Sequence, residues 1–197
     1  MSIRNAIILA SILLCNVAIS QEQISPEEVR EIIKEKIERT IKLGTSSLLV
    51  NAVKEQNALG MSLDTIKKID QEWMSSNDPA SLDQSQQATQ VGNFLRSKVE
   101  SNKGVYSGII LMDNQGANVD AYPVTPDYWQ GDEAIWSASF NEGDGKVYIG
   151  PVEYDKKTKS DAIQISVPVI DDGITIGVLV VGIKLSFIEL MRLKKRF

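Results

Sequence analysis

A chain of 197 residues with 43% hydrophobic content is long enough for one domain with a real core, and a net charge of −5 leaves no basic excess of the kind nucleic acid requires. It contains no histidine and a single cysteine, Cys15. This composition excludes a Ser-His-Asp triad, His-ligated zinc, an imidazole pH switch and an internal disulfide.

The first twenty residues differ from the rest. Arg4 is followed by an uncharged run, Asn5 to Ser20, that ends in the small-residue pattern Ala18-Ile19-Ser20. This predicts a secretory signal peptide over 1–20, cleaved before Gln21, and a periplasmic protein. The apolar stretch Ala6 to Leu14 is far short of the roughly 20 residues that span a bilayer. Cys15 follows the bulky Leu14, where a lipid-attachment site needs a small residue. Cleavage would remove Cys15, so no thiol chemistry is expected.

Ser25-Pro26-Glu27-Glu28 combines a Ser cap, Pro at the first helical position and acid in the first turn. Val29, Ile33, Ile37 and Ile41 then recur every fourth residue, predicting one long amphipathic helix to about Ala58. Its apolar stripe either packs on its own domain or contributes to a homodimer. Gly60 breaks the pattern, and Ser62-Leu63-Asp64 opens a second helix carrying Ile66, Ile69 and Trp73. The stretch Ser75 to Ser81 reads as a turn, and a third helix is expected over Asp83 to Ser101, with Val91, Phe94, Leu95 and Val99 inward.

After Gly104 the period changes from helical to alternating. "VYSGIILMD", the turn "DNQG" and "ANVDAYP" form a hairpin; "KVYIGPVEYD", "DAIQISVPVID" and "GITIGVLVVGIKL" follow as strands, the last two joined through Asp171-Asp172-Gly173. Ile163, Ile165 and Val167 share one face, and the nearly all-apolar last strand is expected to be central. The tail is a short helix with basic residues at its C-terminal end. The sum is an α+β fold, a helical part over 21–103, an antiparallel sheet of about five strands over 104–186 and a terminal helix over 187–197.

Between the strands, "TPDYWQGDE" carries two aromatics and three carboxylates. Asp132 and Glu133 are adjacent, so on a helix they point about 100° apart and cannot face each other across a scissile bond. No catalytic residue is assigned. Asp127, Asp132 and Glu133 lack EF-hand spacing, and no metal or cofactor is expected. The structural reading has Thr125 capping a short helix, Pro126 at its first position and Trp129 and Trp136 in the core. A ligand site asks only that some of these residues also line a cavity.

"GIILMDNQGANV", "DYWQGDEAIW" and "ISVPVIDDGITIGVLVVGI", behind a long helix, resemble a Cache domain, the extracytoplasmic relative of PAS domains in bacterial receptors. The resemblance runs from Glu27 to the end and is greatest to stand-alone periplasmic members. It implies a long helix across one face of a PAS-like sheet, with a loop and short helix closing a small-molecule pocket on the other. Tyr122, Trp129 and Tyr148 would be its walls, and Asp127, Asp132 and Glu133 its polar contacts. Amino-acid-binding members carry an Arg two residues before the Trp and an Asp after the Gly of the last strand; here those places hold Asp127 and Lys184. The resemblance therefore implies a sensor with an acidic pocket entrance that binds a small polar molecule and signals through a membrane receptor or kinase. The alternative is a non-catalytic dimerisation or interaction module with a vestigial pocket.

Overall fold

The computed structural model describes residues 24–75, 89–155 and 159–195. The expected leader over 1–20, with Cys15, lies outside them, as do most of the expected turn after Ser75 and the start of the third helix.

Helix α1 (Pro26–Gly44) starts as its sequence dictates. The Ser25 hydroxyl accepts from the Glu28 amide at 3.2 Å, with Pro26 at the first position and two glutamates in the first turn. It does not continue to Ala58. The chain leaves the helix at Thr45 and restarts at Ser46 as α2 (Ser47–Ala58). At the break Gly44 meets β4: a Cβ there would lie 3.2 Å from the Pro168 carbonyl oxygen and from a Val167 methyl. The missing side chain lets the helix end touch the sheet.

The apolar stripe is also corrected. Residues four apart advance about 40° around a helix, so Val29 and Ile41 are about 120° out of phase. Val29, Ile32, Ile33 and Thr40 are buried, whereas Ile41 is 42% exposed. Of the expected stripe, Val29 and Ile33, with Ile37 beside them, pack into the chain's own core, the first of the two readings; Ile41 does not.

Helix α3 (Leu63–Ser75) begins where the Ser62 hydroxyl accepts from the Thr65 amide at 3.2 Å and buries Ile66. Helix α4 (Gln90–Glu100) is capped by Thr89, whose hydroxyl accepts from the Gly92 amide at 2.7 Å and donates to the buried Asp120 carboxylate. Burial pushes the Asp120 carboxyl above its ordinary value, opposed by these hydrogen bonds to the helix start.

Five strands follow: β1 (Tyr106–Met112), β2 (Asn118–Tyr122), β3 (Tyr148–Asp155), β4 (Ser160–Asp171) and β5 (Ile174–Lys184). They form one antiparallel sheet in the order β2-β1-β5-β4-β3, which puts the apolar β5 at the centre, as expected. Asp172 and Gly173, both at positive φ (47° and 81°), make the two-residue β4–β5 turn, matching the strand twist. β3 is interrupted by a register shift between Ile149 and Val152, around Pro151.

Alternation sends Ile109, Leu111, Ile163, Ile165, Val167, Leu179, Val181 and Ile183 to one face, where α1, α2 and α4 bury them in the main core. Met112, Val178 and Val180 face the other way, onto α5 (Ala134–Phe140). Helix α6 (Leu185–Lys195) returns to α1 through the buried Ile188 and an Arg192 Nε to Glu28 Oε1 pair at 3.0 Å. This is the α+β architecture the resemblance implies, except that the long helix is two helices.

The phase of α1 is testable by chemical denaturation. Ile33→Ala should cost about 2–5 kcal/mol, as for a fully buried aliphatic, and Ile41→Ala less than about 0.5. Equal losses would restore the every-fourth-residue stripe.

Candidate functional site

The segment between β2 and α5 is built from the β1–β2 turn outward. Asp113 Oδ1 accepts from the amides of Gln115 (2.8 Å) and Ala117 (2.9 Å), and its other oxygen accepts from Gln56 Nε2 of α2 at 3.0 Å. The turn returns through Gly116 at φ 83°. Against it lies Gly131: a Cβ on Gly116 would sit 2.5 Å from the Gly131 Cα, so the two backbones meet only because both residues are glycine.

This approach sets the course of the "DYWQG" stretch. It runs beside β2, with an Ala117–Trp129 bridge, Asn118 N–H to the Tyr128 carbonyl at 2.9 Å and Gln130 N–H to the Gly116 carbonyl at 2.8 Å. Helix α3 holds it from outside. Asp70 accepts from the amides of Tyr128 (2.8 Å) and Trp129 (3.0 Å), and Trp73 Nε1 donates to the Thr125 carbonyl at 3.1 Å.

Thr125 does not cap a helix, contrary to expectation. Its hydroxyl accepts from Asn118 Nδ2 and donates to the Asp127 carbonyl, each at 2.6 Å, and the short helix starts only after Glu133. Trp136 is half-buried, stacked on Phe140 at 4.9 Å, and donates to the Asp113 carbonyl at 3.0 Å.

Beneath this segment, on the sheet face away from α1 and α2, lies a cavity of about 220 Å³. Its floor is Gly108, Ile110, Val180, Gly182 and Gln164; its far wall is residues 123–127 with Gln130 and Glu133. Gly108 and Gly182 are cross-strand partners; the Ser107 hydroxyl fills the place of a Gly182 side chain, and the Pro123 ring and Tyr122 carbonyl close over Gly108, each 3.1 Å from where its Cβ would be.

Of the residues singled out from sequence, Tyr122, Asp127 and Glu133 line this cavity; Trp129, Asp132 and Tyr148 do not. The Tyr122 hydroxyl donates to Glu100 of α4, on the helical side of the sheet. Trp129 points outward into a satellite core with Ile66, Ala117 and Tyr128, its Nε1 donating to the Gln115 carbonyl at 2.8 Å and Lys67 Nζ 4.8 Å from its ring. Tyr148 packs against α5 with Ile135 and Val180. Asp132 is exposed. Gln130 and Gln164, which sequence reasoning passed over, supply amides; only the strand alternation that placed Ile163 and Ile165 inward could have flagged Gln164, on the opposite face.

The cavity is acidic. Burial pushes the Asp127 carboxyl above its ordinary value, opposed by a hydrogen bond from Gln130 Nε2 and reinforced by repulsion from Asp70 and Asp132. Glu133 is raised for the same first reason, then by Asp132, Asp127 and Glu153. The charged groups that act on both are carboxylates. Such a site favours a cation or a hydrogen-bond donor. Among the described residues no group of three or more His, Cys, Asp or Glu side chains could hold a metal ion, and no helix is long and apolar enough to cross a membrane.

No family model and no curated protein matches the chain. Among solved structures, it is similar to the sensory domain of the Campylobacter jejuni chemoreceptor Tlp3 with isoleucine bound, at 15% identity and a TM-score of 0.41, covering 86% of this chain and 67% of that one. The V. cholerae histidine kinase DctB sensor domain matches at 15% identity and a TM-score of 0.39, over 81% of this chain and 60% of that one. An extracellular ligand binding receptor from Desulfohalobium retbaense matches at 19% identity and a TM-score of 0.39, over 73% of this chain and 26% of that one.

The raised Asp127 carboxyl has a signed consequence. A group whose folded pKa exceeds its unfolded value of about 3.9 destabilises the fold when ionised and does not when protonated. Asp127→Asn should therefore raise the melting temperature at pH 7, with the gain shrinking as pH falls and gone below about pH 4. A pH-independent gain would show that the charge is not its origin.

Proposed function

We propose that this protein is a periplasmic sensor module of the Cache type that binds a small polar ligand, without catalysis, and signals through a membrane receptor or kinase. The observation that carries this reading is the cavity between the β1–β5 floor and the anchored 123–133 segment, with two carboxylates at its wall. Asp127 and Glu133 bind the cationic or hydroxyl-rich part of the ligand, and Gln130 and Gln164 orient it. Asp132 contributes its field. Trp129 and Tyr148 are positioning residues, holding the wall segment and α5. With Asp127 and Lys184 where amino-acid-binding relatives carry Arg and Asp, an α-carboxylate has no clamp here.

The volume favours a second reading. About 220 Å³ is below the ~300 Å³ at which ordinary ligand pockets begin. The cavity would then be vestigial and the protein an interaction or dimerisation module.

Thermal-shift titration of the purified protein with small amines, quaternary ammonium compounds and polyols separates the two. A true ligand at 100 times its dissociation constant adds about 2.7 kcal/mol of stability. Asp127→Asn with Glu133→Gln should abolish that gain while leaving the far-UV spectrum unchanged. If no compound stabilises the protein, or if the neutral variant responds as the wild type does, the second reading stands.

A further inference from the structure

On the opposite face of the sheet, α1 and α4 do not meet over β1 and β5. They leave a groove of about 580 Å³, inside the range of ordinary small-molecule sites. Its base is apolar: the Tyr106 ring, Ile109 and Val181. Its rims are cationic, with Lys36, Arg39 and Lys42 from α1 and Lys98 from α4.

Arg39 is held by Glu35 one turn earlier. The three lysines have no ion-pair partner among the described residues. Lys36 Nζ instead lies 5.1 Å from the Phe187 ring centre and 5.8 Å from that of Tyr106, and Lys98 Nζ 5.1 Å from that of Phe94. At the α1–α2 corner the buried Ser46 hydroxyl, also lining the groove, has no hydrogen-bond partner among the described residues. Three ammonium groups and a hydroxyl donor thus surround an apolar base, in a chain whose net charge is −5. A groove with this charge and floor complements an anionic head on an apolar body.

We propose that this groove is a second ligand site, distinct from the acidic cavity, for a small amphiphilic anion such as a free medium-chain carboxylate. The head is held by Lys36, Lys42 and Lys98, and the body lies along Tyr106, Ile109 and Val181.

The test is fluorescence titration of the full protein with 1-anilinonaphthalene-8-sulfonate, an anion with an aromatic body, followed by competition. One saturable site is expected, displaced by decanoate below its micellar concentration and not by decanol. Lys42→Glu with Lys98→Glu should weaken probe and decanoate binding at least ten-fold with unchanged circular dichroism. Lys42→Arg with Lys98→Arg, and Asp127→Asn, should leave both within about two-fold. The proposal is overturned if the glutamate variant binds like the wild type, or if decanol competes as well as decanoate. It is also overturned if phosphatidylglycerol vesicles or poly-glutamate displace the probe where decanoate does not, since the groove would then serve a membrane or an acidic protein segment.

Discussion

The constraint on which the structure depends is the burial of β5 on both faces. Leu179, Val181 and Ile183 require one apolar cover, and Val178 and Val180 require another. A single helical layer supplies only the first. The second must come from the connection between β2 and β3, and this is why that connection is anchored so heavily and carries α5. The acidic cavity lies under this second cover, bounded on one side by Gly108, where the absence of a side chain lets Tyr122 and Pro123 come down onto the sheet.

Local signals were legible wherever a residue's own backbone preference decides the outcome. The Ser25-Pro26 start, the Asp172-Gly173 turn, the alternation of β4 and the central place of β5 could all be read directly from sequence. The break in the first helix was signalled by Gly44-Thr45-Ser46, poor helix formers in succession. The apolar period continuing through α2 masked it. What selected the break is the contact of Gly44 with β4, which no local window contains. The site was harder for the same reason. Trp129 is aimed by Asp70, 59 residues earlier, and by the contact between Gly116 and Gly131; from sequence, an aromatic among acids could equally face the cavity.

The two faces differ in electrical character as well as in cover. One holds lysines from α1 and α4 around an apolar base; the other holds carboxylates acted on by further carboxylates. In sequence both look like solvated charge between core residues. Only the fold separates them by sign, with the sheet as a thin apolar partition. Ile109 borders both hollows, so packing on one side of β1 is one residue thick from the other.

The sheet's two margins have been treated differently, and this bears on self-association. An unpaired strand is a template onto which another chain can grow. Beside β2 that template is covered at its start, where Asn118 N–H donates to the Tyr128 carbonyl and Gln130 N–H to the carbonyl of Gly116 just before the strand. β3 has no such neighbour among the described residues and exposes Val152 and Tyr154, but Pro151 has no amide to offer and the shifted register throws the surrounding groups out of line. An added chain would thus meet β2 covered at one end and β3 interrupted in its middle, so each margin offers it less than a full strand.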